Sequence, residues 1–144
     1  MKFYSNFDFK RLYVSKHISI DRTYIFPKGF NQTIMITTCF IILYYDYIIF
    51  KFIPAVFIIM NNKIQIGYKH VFSHLNENLK AYKNLTKEPL QWDTFTTDFE
   101  KPLINAFHLV FNNNDTEKEK HHIGCYFHFL KNYRKNLQKE VYML

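Results

Sequence analysis

Glycine is scarce, with three in 144 residues. A phosphate-cradling loop needs several glycines where the backbone closes on the phosphates, so no Gly-rich nucleotide loop is present. A Gly-x-Ser-x-Gly elbow is absent too, which removes the hydrolases that present their nucleophile that way. Cysteine is nearly as rare. Cys39 lies in an apolar run and Cys125 in a His-rich segment, which is not the dense, even spacing of a secreted disulfide scaffold and points to a reducing compartment. Met1 to Lys10 alternates polar and aromatic residues without an apolar core and small-residue cleavage site, so no secretory signal is visible. Internal repeats and low-complexity linkers are also missing. A chain of this length forms one core, burying roughly two-thirds of the surface its unfolded form exposes.

What is abundant is apolar: 48% of residues are hydrophobic, with 16 Phe and 11 Tyr. That is far from the charge-rich profile of a disordered chain, and it predicts folding. Lys and Arg outnumber Asp and Glu by 19 to 12, a net charge of +7 that favours polyanionic partners, either nucleic acid or an acidic membrane surface.

Residues 40–60 are apolar enough and long enough for a membrane span, since about 20 apolar residues cross a bilayer. Asp46 and Lys51 fall inside the run and Pro54 interrupts it. A central Asp alone costs about 2.5–3.5 kcal/mol on insertion scales. Two buried strands joined near Asp46 account for the same residues, so a small membrane protein is the lesser alternative.

The pattern predicts strands over 18–26, 30–42 and 48–60, each rich in β-formers and bounded by turn residues, with Pro54 starting or bending the third. Asn61-Asn62 breaks the pattern. Tyr68, Val71, Phe72, Leu75, Leu79 and Tyr82 then recur at helical spacing. A fourth strand is expected over 92–99, ending near Asp98. A second helix follows, with Pro102 in its first turn and Leu103, Ala106, Phe107, Val110 and Phe111 on one face. Residues 122–129 read as a fifth strand, and Leu130, Tyr133, Leu137 and Val141 as a third helix face. The expectation is an α/β domain with a mixed central sheet, ordered β-β-β-α-β-α-β-α, over 18–144, preceded by an N-terminal extension over 1–17.

Two acids stand out. Asp21 interrupts a strongly β-prone run, where an unpaired charge is expensive to bury. Asp98 ends a second strand of the same proposed sheet. Carboxylates brought side by side by adjacent strands make an oxygen-ligand site suited to Mg²⁺. Two such ions about 4 Å apart can activate a nucleophile and stabilise the leaving oxygen in a phosphodiester attack. The plainer reading has Asp98 or Glu100 capping the following helix and Asp21 on an exposed strand face.

The stretch Thr97-Asp98-Phe99-Glu100-Lys101-Pro102-Leu103-Ile104-Asn105-Ala106, followed by Ile123-Gly124-Cys125-Tyr126-Phe127-His128-Phe129, resembles the D-F-E and G-C-x-F-H-F signature of Mutator-like element (MULE) transposases. Ile20-Asp21-Arg22-Thr23-Tyr24, with Pro27-Lys28-Gly29-Phe30-Asn31-Gln32 behind it, is similar to that family's I-D-G-T-F and P-x-G-F-x-Q. The resemblance runs from about Ile18 to the C-terminus. It implies an RNase H-like fold, incomplete at the C-terminus, and the chemistry of a DDE transposase: metal-dependent DNA cleavage and strand transfer. Asp21 and Asp98 then match the first two catalytic acids and the ligands of Mg²⁺ or Mn²⁺. Transposon-end DNA is the implied partner, with a homo-oligomer as a further one, no small-molecule substrate, and the nucleus as location. The family's third acid, a downstream Glu, has no match in Glu117, Glu119 or Glu140, and Arg22 replaces the usual Gly, so the chain is expected to be inactive as it stands. The competing expectation is a remnant that only binds DNA or a protein.

His121-His122-x-x-Cys125-x-x-His128 offers ligand types that zinc accepts, and the family carries a similar Cys-x-x-His pair. The spacing is not that of a complete four-ligand site, so zinc at Cys125 and His128 is the minor reading and a partly buried Cys and His the major one. In the last helix Lys131, Arg134, Lys135 and Lys139 share one face. Such a stripe can contact DNA phosphates with salt-dependent affinity, or stand as a solvated face.

Overall fold

The computed structural model describes residues 2–3, 6–24, 38–60, 64–112 and 119–141. They form a mixed α/β architecture around one sheet, with strand order β1-β4-β3-β2-β5-β6. In chain order the elements are β1 (Lys2–Phe3), α1 (Asn6–Val14), β2 (His17–Tyr24), β3 (Thr38–Asp46), β4 (Lys51–Met60), α2 (Gln65–Thr86), β5 (Thr94–Thr97), α3 (Lys101–Phe111), β6 (His121–Gly124) and α4 (Tyr126–Val141). β2, β3 and β4 make an antiparallel meander, whereas β5 pairs parallel to β2 and β6 parallel to β5.

Alternation along the strands sorts side chains into two faces. Ile18, Ile20, Phe40, Ile42, Tyr44, Val56, Ile58 and Phe95 point to a core closed by α1, α2 and α3. From α2 the residues Tyr68, Phe72, Leu75 and Leu79 are buried at the spacing read from the sequence. Phe72 sits among Phe40, Phe107 and Phe111 at ring-centroid separations of 5.4–5.9 Å. Burying one such ring stabilises by about 1.5–3 kcal/mol. α1 is stitched to the α2–β5 connection by two long-range bonds: Tyr13 Oη donates to the Glu88 carbonyl at 2.7 Å, and Trp92 Nε1 to the Leu12 carbonyl at 2.7 Å. Residues 1–17, which the sequence sets apart as an extension, thus supply β1, α1 and the first residue of β2.

Several boundaries differ from the sequence reading. β3 continues through Leu43–Asp46 rather than stopping at Ile42, so the hairpin turns over 47–50. The turn is set by Asp46, whose Oδ1 accepts the Ile48 and Ile49 N–H groups at 2.8 and 3.3 Å. Pro54 lies inside β4, where it cannot donate to the ladder. The register shifts there, pairing Leu43 with Pro54 and Ile42 with Val56, as a proline in a strand demands. The expected strand over 122–129 is corrected to β6 at His121–Gly124 followed by α4. Pairing with β5 ends at Gly124, and the Phe129 N–H closes a helical bond to the Cys125 carbonyl at 3.0 Å. The expected strand segment 30–37, the turn at 27–29, Asn61-Asn62 and Glu117 lie outside the described residues. Residues 40–60 are a β-hairpin and its turn. Among the described residues no helix is long and apolar enough to cross a membrane.

Candidate functional site

The two sequence-nominated acids come from different strands, so only the sheet register relates them. β2 and β5 pair as His17 with Thr94, Ile18 with Phe95 and Ser19 with Thr96. The ladder ends there; its offset, continued for two more residues, would align Asp21 with Asp98, which follows directly on β5. Neighbouring strands lie about 4.8 Å apart, a span that two carboxylates turned to the same side can close around one ion. Alternation along β2 puts Asp21 on the sheet face opposite the helical core, in line with His17 and Ser19, whereas the Asp98 carboxylate follows the end of β5, takes the hydroxyl of buried Thr97 and acts on His122. Both acids lie at the carboxyl end of the parallel part of the sheet, the edge where open α/β sheets place their ligands.

Each carboxylate is oriented by a backbone amide close behind it. Asp21 Oδ1 accepts the Arg22 N–H at 2.8 Å. Asp98 Oδ1 accepts the Glu100 N–H at 3.3 Å and the Thr97 hydroxyl at 3.3 Å. Asp21 is exposed and Asp98 half-buried, so solvent and a ligand can reach the pair. Carboxylate oxygens are donors that suit a hard divalent cation such as Mg²⁺ or Mn²⁺ rather than a thiolate-seeking metal.

Behind the acids, on the core side, lies a charged cluster that the sequence reading did not assemble. Arg22 Nη1 meets Glu100 Oε2 at 2.6 Å and donates to Tyr68 Oη at 2.7 Å, while Tyr68 Oη donates to Glu100 Oε1 at 2.9 Å. Tyr68 is fully buried, and the side chains of Arg22 and Glu100 are 16% and 19% exposed. Burial, together with the hydrogen bond to Glu100 and its charge, pushes the Tyr68 phenol up to about 12. The Arg22 guanidinium is held above its ordinary value by Tyr68 and Glu100, against the opposing effect of burial. One signal was present in the sequence: Arg22 occupies the core-facing register of a strand, after Ile18 and Ile20, where a charge requires a partner. The partner's identity was not local.

The third block of the sequence meets the second at Gly124. A Cβ there would come within 2.5 Å of the Phe99 ring. The Asp98-Phe99-Glu100 segment therefore has three separate placements: Asp98 just past β5, held by the Thr97 hydroxyl and the Glu100 N–H, Phe99 over the end of β6, and Glu100 at the start of α3 against Arg22.

Cys125 is a half-buried free thiol whose N–H donates to the Thr97 carbonyl at 2.9 Å. His128 lies in the first turn of α4, and its Nδ1, like His122 Nε2, is buried without a hydrogen-bond partner among the described residues. Burial lowers the His122 pKa, helped by His108 and opposed by Asp98. Among the described residues no three His, Cys, Asp or Glu side chains gather within reach of one metal ion, so zinc at Cys125 and His128 rests on residue type alone. Lys131, Arg134 and Lys135 are exposed on α4 and line a groove with Phe127, Leu130 and Gln138. Lys139 belongs to the same helix, but its side chain lies outside the described set. Compared with protein-family models, curated proteins and solved structures, the chain matches none.

Proposed function

We propose that this chain is the front part of a MULE-type DDE transposase core with an RNase H-like fold, in which Asp21 and Asp98 are the first two acids and hold Mg²⁺ or Mn²⁺. The observation that supports this reading is the parallel β2–β5 register, whose offset, continued two residues past the end of the ladder at Ser19 and Thr96, aligns Asp21 with Asp98. The succession β-β-β-α-β-α-β-α from His17 to Val141 is the one the resemblance calls for, and it supports the same assignment.

A divalent ion held there would supply a Lewis acid for a phosphodiester oxygen and a site that favours a deprotonated nucleophile. The chain's own part is to fix the two carboxylates through the Arg22 and Glu100 amides and to attract the DNA backbone. At 1.5 Å per residue, Lys131 and Lys135 lie about 8 and 14 Å along α4 from Tyr126, on the helix that starts beside Asp98. Their charge would be neutralised by phosphates with counterion release, so binding weakens as salt rises. Transposon-end DNA, self-association and a nuclear location belong to this proposal as consequences of the family resemblance.

A second reading, a remnant that binds DNA without chemistry, draws on the exposed Lys131, Arg134 and Lys135 alone. Mn²⁺ titration by calorimetry separates the two. The first reading expects binding in the native chain and its loss in Asp21→Asn and in Asp98→Asn, with folding retained. Mn²⁺ binding that is absent, or indifferent to both substitutions, leaves only the second.

A further inference from the structure

The hydrogen bonds around the two acids have a common origin. The N–H that orients Asp21 belongs to Arg22, the N–H that orients Asp98 belongs to Glu100, and the side chains of Arg22 and Glu100 are joined at 2.6 Å. The strand pairing itself does not supply this link, because the β2–β5 ladder stops at Ser19 and Thr96. Beyond that point β2 runs on toward Tyr24, whereas the chain after Thr97 turns into α3. Without a tie, the ends carrying the acids would be free to splay.

We infer that Arg22, Tyr68 and Glu100 form a positioning clamp that sets the spacing of the Asp21 and Asp98 carboxylates, gripping from the core side the two chain segments that carry them. This inference rests on the two-acid site proposed above and goes beyond it, because the three residues touch neither metal nor substrate. Alternation along β2 puts Asp21 and Arg22 on opposite faces, so the clamp can pull on the backbone without competing for the ion. Both oxygens of Glu100 are engaged, one by Arg22 and one by Tyr68, which keeps this nearby third carboxylate turned inward. Tyr68 also anchors the clamp in the core, since its ring lies 5.9 Å from that of Phe40. A guanidinium suits this mostly buried ion pair better than an ammonium, because it is more weakly hydrated and always charged.

A positioning role differs from a purely structural one in what it does to metal affinity of the folded protein. The experiment is Mn²⁺ calorimetry on the full chain with native sequence, Arg22→Met, Arg22→Lys, Glu100→Gln and Tyr68→Phe, each checked for folding by circular dichroism and a thermal melt at the titration temperature. The clamp predicts a loss of Mn²⁺ affinity of about tenfold or more in Arg22→Met and Glu100→Gln, the range seen when groups that orient metal ligands are removed. It predicts a smaller loss in Tyr68→Phe and partial rescue in Arg22→Lys relative to Arg22→Met. If either charged variant fails to fold, Tyr68→Phe keeps the ion pair and the core ring and carries the test. Native-like Mn²⁺ affinity in the folded clamp variants, with the native chain binding through Asp21 and Asp98, overturns the clamp and leaves the two-acid site standing. No Mn²⁺ binding by the native chain overturns both.

Discussion

Arg11 Nη1 meets Asp46 Oδ2 at 2.6 Å, joining α1 to the last residue of β3 across 35 positions of sequence. The same carboxylate accepts two backbone N–H groups of the hairpin turn, so a buried acid is satisfied on both oxygens. Asp46→Ala is expected to cost about 1–3 kcal/mol, because it strips the turn and leaves the Arg11 contact without its acceptor. Asp46→Asn keeps an oxygen for the turn and should cost less. Urea melts of the two variants check the order; equal losses would mean that the turn bonds contribute nothing measurable.

Phe50 in that turn and Lys87 at the end of α2 are the non-glycine residues with positive φ among the described residues, at 55° and 60°. The left-handed region costs an L-residue roughly 1–2 kcal/mol, and Asn or Gly adopts it more readily. Lys87 closes α2 by donating its N–H to the Lys83 carbonyl at 2.8 Å, the place where glycine is usual. Lys87→Gly and Phe50→Asn are each expected to stabilise by about 0.5–1 kcal/mol. A fall in thermal midpoint for either would show that the side chain contributes more than its backbone strain costs.

The Phe50 substitution carries a second expectation. Tyr47, Ile48, Ile49 and Phe50 are four consecutive exposed apolar residues at the hairpin tip, a patch of the kind that drives association. Ile48→Lys with Phe50→Asn should raise the concentration at which the chain stays monodisperse in light scattering, with little change in the core melt.

His17 lies half-buried on the open face, its ring against Phe52 and its two nitrogens facing Thr94 and Thr96 hydroxyls, the latter at 3.0 Å. Burial lowers its pKa from the ordinary histidine value. The folded form therefore prefers the neutral ring more than the unfolded chain does. Its contribution is fully present above about pH 6.5, the unfolded value, and is lost as pH falls through that value toward the lower folded one. Thermal midpoints measured between about pH 8 and 5 should decline on the acid side, and His17→Gln should flatten part of that decline. His122 shifts in the same direction, so some slope persists. An unchanged slope in His17→Gln would remove His17 from the account.

Gly124 and Phe99 make the most local of these tests. The Phe99 ring is half-exposed, so it can swing away from an added methyl. Gly124→Ala is expected to stay within about 1 kcal/mol of native stability, whereas Gly124→Val, with two methyls, should cost more and displace the Asp98 segment. Urea midpoints followed by far-ultraviolet circular dichroism, together with Mn²⁺ titration, check both effects.

How far the sequence could be read followed the range of the interactions involved. The faces of α2 and α3 were legible because helix burial repeats every three to four residues, and Tyr68, Phe72, Leu75, Leu103, Ala106 and Phe107 are all buried. Pro102 marked the start of α3 for an equally local reason. The end of β3 differs from the expected one, because Leu43, Tyr44 and Tyr45 lie in an unbroken run of β-formers and only the bonds from Asp46 to the turn amides mark where the strand stops. The boundary between β6 and α4 was misplaced too, since aromatic residues 126–129 suit either state and only the end of pairing with β5 decides between them.

By itself, then, the sequence determined the order of strands and helices from β2 to α4, though not β1 or α1, together with the α/β class and the choice of Asp21 and Asp98 as the acids worth examining, since composition, periodicity and local motif are properties of short windows. The tertiary structure decided which strands are neighbours, that the β2–β5 register carries Asp21 toward Asp98, and that Arg22, Tyr68 and Glu100 meet behind them. Those contacts join residues 32 to 78 positions apart. Such pairings depend on the burial of the whole sheet against its helices, which no short window of residues encodes.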